Sequence, residues 1–157
     1  MAKKLHKLLL KHEEELVESI VAGLVASDST RYREVDPAVL RERVAGLVGA
    51  FLESIVGAPE SFVAFVHRLT EERLAEGYYL HEIQTALNVL DEQACAIALE
   101  RSPEDRVDKH LLRIGRTISR AKDELAERYF LRQQEADTRV AALEQRLQEL
   151  GRGSEKG

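Results

Sequence analysis

The sequence predicts an all-α protein, a helical bundle whose last helix is long. Three observations carry that prediction. Apolar residues recur at spacings of three and four along most of the chain, the period of a helix with one buried face. A 44% hydrophobic fraction sits beside 32% charged and only 5% aromatic residues, so the apolar content is Leu, Val, Ile and Ala among ions, a helical-bundle composition. The three prolines each stand where a helix would begin: Asp36-Pro37, Ala58-Pro59 and Ser102-Pro103. Proline suits a first helical position because its missing N–H would be unpaired there anyway.

The elements follow in order. A first helix is expected from about Lys4 to Ala26, with Leu5, Leu9, Leu16, Ile20 and Leu24 on its apolar line, ended by Ser27-Asp28-Ser29-Thr30. A second starts at Pro37, capped by Asp36. It carries Leu40, Val44, Leu47, Val48, Phe51, Leu52 and Ile55, and Gly57 stops it. A third starts at Pro59 with Phe62, Phe65, Val66 and Leu69, and ends near Gly77. A fourth begins around Leu80 and shows Leu80, Ile83, Leu87, Leu90, Ala94 and Ile97 on one face. The last begins at Pro103, where Ser102-x-x-Asp105 reads as a capping box with the shorter acid. Val107, Leu111, Ile114, Ile118, Ala121 and Leu125 follow a 4-3-4-3-4 spacing; the phase then shifts through Tyr129 and Ala136. Val140, Leu143, Leu147 and Leu150 resume it with heptad character. Unbroken, this helix would be about 70 Å long at about 1.5 Å per residue. That exceeds a compact bundle, so its end must project, kink or meet another chain. The expected division is a helical domain over residues 1–125, a coiled-coil signalling helix over 126–150 and a flexible tail over 151–157.

A chain of 157 residues with a net charge of −5 fits one soluble domain and argues against a surface built wholly for nucleic acid. One cysteine, Cys95, permits no internal disulfide, in keeping with a reducing cytoplasm. The apolar run Leu8–Leu10 is followed at once by Lys11, too short for a secretory segment. Nothing approaches the roughly 20 apolar residues that span a bilayer. Phosphate-loop, dinucleotide, H-E-x-x-H and nucleophile-elbow motifs are absent, so neither an enzyme nor a cofactor is expected.

Individual residues leave several chemistries open. His12 lies on the apolar line of the first helix and His67 at the edge of the third. Either could contact haem or a small ligand in a helical pocket, or simply mark a helix boundary. His6 and His110 sit among charges and read as surface positions. Lys109, Arg113, Arg116 and Arg120 form a positive stripe suited to phosphates, or a solvated face paired locally as Asp105 with Lys109 and Arg120 with Glu124. Cys95, between Ala94 and Ala96, reads as a packed small hydrophobe.

The run His81-Glu82-Ile83-Gln84-Thr85-Ala86-Leu87 resembles the phosphoacceptor box of sensor histidine kinases. His81 shares a face with Thr85, Asn88 and Glu92 and is expected to be exposed, as a phosphoacceptor must be. A second resemblance spans more of the chain. Leu69-x-x-x-Arg73-x-x-x-Gly77-Tyr78-x-Leu80-x-Glu82-Ile83 is similar to the N-terminal domains of RsbT co-antagonist proteins of the RsbR/RsbD type. That resemblance implies a dimeric helical sensory domain, globin-like but without haem, upstream of a STAS domain or a histidine-kinase core. In this chain it implies a non-enzymatic regulator in the cytoplasm, partnered by a STAS protein, a kinase or an anti-sigma regulator. Leu111, Ile114, Ile118, Val140, Leu143 and Leu147 are the expected homodimer and coiled-coil seam.

Overall fold

A computed structural model describes residues 2–28, 30–57 and 59–156 of the chain. Parts of two expected boundaries, at Ser29 and Ala58, and the last tail residue, Gly157, lie outside the described residues. The elements are α1 (Ala2–Lys11), α2 (Glu13–Ala26), a 3-10 turn (Tyr32–Glu34), α3 (Pro37–Ile55), α4 (Pro59–Ala75), α5 (Leu80–Arg101), a second 3-10 turn (Glu104–Arg106) and α6 (Val107–Glu155). The described residues contain no strand.

The first expected helix is two. His12, at φ −108° and ψ 21°, separates α1 from α2. Its N–H donates to Leu9 O at 3.1 Å, a three-residue turn, and Leu16 N–H donates to His12 O at 2.9 Å to restart the four-residue ladder. Glu13, Glu14 and Glu15 then occupy the first turn of α2, where the amide dipoles favour negative charge. The break lets Leu5 and Leu9 on α1, and Leu16, Ile20 and Leu24 on α2, all reach the core.

Helix α3 starts as its proline predicts: Asp36 Oδ1 accepts from Ala38 N–H at 2.9 Å and Val39 N–H at 3.2 Å. Helix α4 ends in a Schellman motif. Tyr78 N–H donates to Arg73 O at 2.9 Å and Gly77 N–H to Leu74 O at 3.1 Å, with Gly77 at φ +88°. A side chain at Gly77 would be strained in that left-handed conformation. At the other marked boundary the expectation is corrected. Ser102 closes α5, residues 104–106 form a 3-10 turn, and α6 begins at Val107 rather than Pro103. The Ser102 hydroxyl is hydrogen-bonded to His110 Nδ1 at 2.7 Å instead of capping the next helix. His110 is therefore buried at 2% exposure, not a surface histidine.

In the first of two compact units, Met1–Leu125, α2 packs on α3 and α5, α3 on α4, and α1 on α3 and α5. Helix α2 comes close to α5 at Gly23, where a Cβ would lie 2.8 Å from Val89 Cγ1. Phe51 and Phe62 meet edge-on at 5.7 Å between α3 and α4. Ile114, Ile118, Ala121 and Leu125 of α6 complete this core. The second unit is Ala126–Gly157. There the helix runs on to Glu155, past the expected tail boundary at Gly151, with Ser154 Oγ donating to Gly151 O at 3.2 Å. Once a helix is nucleated each added residue gains a bond, so two glycines do not suffice to stop it.

Candidate functional site

The corner between α4 and α5 gathers most of the motif residues. Gly77 turns the chain, Tyr78 packs against the core, and Tyr79 precedes the first turn of α5. Glu82 sits one turn in, at 1% exposure. A buried carboxylate must have its lone pairs filled, and each oxygen of Glu82 is occupied. Tyr79 N–H donates to Oε2 at 2.7 Å, closing the helix start. Arg31 supplies the rest: its backbone N–H donates to Oε1 at 2.9 Å, Nε to Oε1 at 3.3 Å and Nη2 to Oε2 at 3.1 Å. Arg31 also donates to Gly77 O, and its guanidinium lies 4.8 Å from the Tyr78 ring and 5.6 Å from the Tyr79 ring. Tyr32 adds a hydrogen bond from its hydroxyl to Glu82 O at 2.7 Å.

The electrostatics follow from this geometry. Burial pushes the Glu82 carboxyl up, but hydrogen bonds from Arg31 and Tyr79 outweigh it, and its pKa lies below the ordinary 4.5. The Arg31 guanidinium is held more firmly protonated, chiefly by its hydrogen bond to Glu82. Burial raises the Tyr32 phenol, so it stays a donor. The cluster joins the α2–α3 connection to the first turn of α5. Sequence reasoning missed Arg31 and Tyr32 because they lie about fifty residues from the motif they complete, with no local signal.

Arg73 stands on the other side of the corner, mostly buried, with Nη1 on Glu76 at 2.9 and 3.0 Å. It borders an open groove between α3 and α4, about 380 Å³ in volume, lined also by Val39, Arg43, Phe65, Leu69 and Glu72. Leu80 and Ile83 anchor α5 in the core. His81 is exposed and its ring stacks on Tyr79 at 5.8 Å. The adjacent acid, Glu82, points away into the Arg31 cluster.

The remaining candidate residues are dispersed. His12 lies at the α1–α2 break with Nδ1 3.3 Å from Glu15, and His67 faces Glu124 of α6 at 3.9 Å. An apolar cavity beside Tyr32, Leu40, Val44 and Ile83 has about 30 Å³, room for one water or two, and neither histidine lines it. No group of three or more His, Cys, Asp or Glu side chains able to hold a metal occurs among the described residues. Cys95 donates to Asp91 at 3.5 Å; burial first, then Asp91, pushes its pKa up to about 11, which keeps the thiol protonated and unreactive. In the positive stripe, Arg113 donates to Ile55 O of α3 and Arg120 lies near Glu60 of α4.

The expected seam divides. Ile114 and Ile118 are buried inside the bundle and Leu111 packs against it, so the chain's own helices cover them. Val140, Leu143, Leu147 and Leu150 are 53%, 58%, 68% and 72% exposed.

The family model described as RsbT co-antagonist protein rsbRD N-terminal domain matches residues 14–148. The chain belongs to this family. The match takes in the Arg31–Glu82 cluster, the Gly77 corner and most of α6. As an RsbRD N-terminal domain the chain is a regulatory domain of stress signalling. No curated protein and no solved structure matches it. No helix among the described residues is long and apolar enough to cross a membrane.

Proposed function

We propose that this RsbRD-type domain is a non-enzymatic sensory module of the bacterial cytoplasm. It forms a homodimer through the heptads of residues 126–150 and relays a signal along α6 to an effector: a STAS domain, a kinase or an anti-sigma regulator. The globin-like arrangement without haem belongs to the same reading. One observation carries it. Four large apolar residues of α6, Val140, Leu143, Leu147 and Leu150, fall at 3-4-3 spacing, the first three of them within the family match, and all are exposed in the single chain. Scattered apolar residues on a surface need no explanation, but a heptad line does, because a second helix buries it by knobs-into-holes packing. A shift or rotation of paired helices is an established way to carry a signal.

Sedimentation equilibrium of the full chain tests the dimer. Wild type is expected to fit a dimer, and Leu143→Glu with Leu147→Glu a folded monomer. A monomeric wild type, or a variant that dimerises as tightly, would overturn the reading.

A further inference from the structure

The pocket where α6 crosses the C-terminal end of α3 has the makings of an anion site. It holds about 180 Å³ and is lined by Ser54, Pro59, Arg113, Arg116, Thr117 and Arg120. The arginines stand at i, i+3 and i+7, one face of α6. Each carries five donors in a planar fork matched to phosphate oxygens. Arg113, which lines the pocket, uses one Nη2 bond at 3.0 Å on Ile55 O, and this orients its side chain. Arg120 lies 3.7 Å from Glu60, a carboxylate 79% exposed, so that pair is screened by solvent and weak. Arg116 has no ion-pair partner among the described residues.

Ser54 is the second, independent observation. It is 1% exposed, yet its Oγ has no hydrogen-bond partner among the described residues. A buried hydroxyl left unpaired is destabilising, and this one lines the same pocket as the three guanidinia. Thr117, by contrast, spends its proton on Arg113 O at 2.9 Å. Neighbouring like charges on a helix also repel, in a chain whose overall charge is −5. An anion in the pocket would satisfy the hydroxyl and offset the repulsion together.

We propose that this pocket binds a small phosphate-type anion, either inorganic phosphate or the phosphoryl end of a small monoester. The Ser54 hydroxyl and the Arg113, Arg116 and Arg120 guanidinia would donate to it. The volume sets the class: it falls below the roughly 300–1,000 Å³ that drug-sized ligands occupy. A nucleic acid would require a track of several phosphates, which one compact pocket does not provide. The inference stands independently of dimerisation and signal relay.

Calorimetric titration of the full chain at constant ionic strength tests it, with sodium phosphate in one arm and glycerol 3-phosphate in the other. Saturable binding to one site is expected in at least one arm, and the tighter arm identifies the source of the anion. Arg116→Gln with Arg120→Gln removes two exposed side chains and is expected to weaken binding by about tenfold or more, the worth of a charged hydrogen bond. Ser54→Ala should weaken it less, and Lys109→Gln, outside the pocket, should leave it unchanged. Circular dichroism checks that each variant is folded. No saturable heat up to about 10 mM, where even a millimolar site would be filled, would overturn the proposal. So would an arginine double variant that binds as wild type does.

Discussion

Glu82 and His110 are buried side chains whose charge state the fold holds in opposite senses, the one ionised and the other neutral. Glu82 is kept ionised by Arg31 and Tyr79. Burial of its side chain, then Arg106, lowers the His110 pKa below the ordinary 6.5, with Asp105 acting weakly against them. In both cases the unfolded chain binds more protons than the folded one as pH falls, so stability falls with it. The windows differ. The His110 contribution is present above pH 6.5 and is lost on acidification below it. The Glu82 contribution is lost only below pH 4.5. Urea midpoints measured from pH 7 down to about pH 5 should fall in wild type and fall less in His110→Asn. Glu82→Gln replaces an ionised acceptor with a group that must turn an N–H toward a donor. It is expected to cost about 1–3 kcal/mol, read as a lower denaturant midpoint. Gly77→Ala is expected to cost about 1–2 kcal/mol, because its φ of +88° is left-handed. The role of Gly77 was legible beforehand, since glycine before an aromatic residue at a helix end announces a left-handed cap. The buried state of His110 was not. Its neighbours in sequence, Asp108 and Lys109, are charged, and only the 3-10 turn before α6 brings Ser102 to it.

At the scale of elements, periodicity and proline placed nearly every core side chain. Leu40 through Ile55 on α3 and Ile83 through Ile97 on α5 are buried on the faces their spacing predicts. Two element features had no comparable signal. His12 breaks the first helix without glycine or proline, through a three-residue backbone turn, and α1 then packs on α3 and α5. Gly23 lies mid-helix, where helix propensity alone argues for alanine by about 1 kcal/mol. The packing argues the other way, because Val89 is β-branched and its Cγ1 would be 2.8 Å from the new Cβ. Overpacking of this kind costs about 1–3 kcal/mol, so Gly23→Ala is expected to be destabilising. Adding Val89→Ala should recover part of that loss beyond what the single changes sum to. Two independent, additive losses would show that α2 and α5 are not in register at this point.

For the whole molecule, the informative contrast is between two apolar lines on α6. Ile114, Ile118, Ala121 and Leu125 are covered by the chain's own bundle. Val140, Leu143, Leu147 and Leu150 are not. The sequence shows both lines as regular, and the expected seam draws on each: Leu111, Ile114 and Ile118 from the first, Val140, Leu143 and Leu147 from the second. Spacing reports that a face is apolar; it does not report which helix buries it. The same limit hid Arg31 and Ser54. Each acts across a long separation in sequence, one on a carboxylate and the other on a pocket. The phase change between Leu125 and Val140 was visible, and it falls where the chain divides into its two units. The His81 alternative is separable at this scale. A cognate kinase with labelled ATP should leave the wild-type chain unlabelled; label that disappears in His81→Ala would make the chain a phosphotransfer protein instead.

In the proposed homodimer, two parallel helices set Val140, Leu143 and Leu147 against their own copies. Disulfide trapping tests it most directly, with single cysteines introduced one at a time into a Cys95→Ser chain. Val140→Cys, Leu143→Cys and Leu147→Cys are predicted to crosslink rapidly under mild oxidation, while Gln145→Cys and Gln148→Cys, on the opposite face of the heptad, crosslink slowly. Equal rates at all five positions, or no dimeric product at any of them, would contradict it.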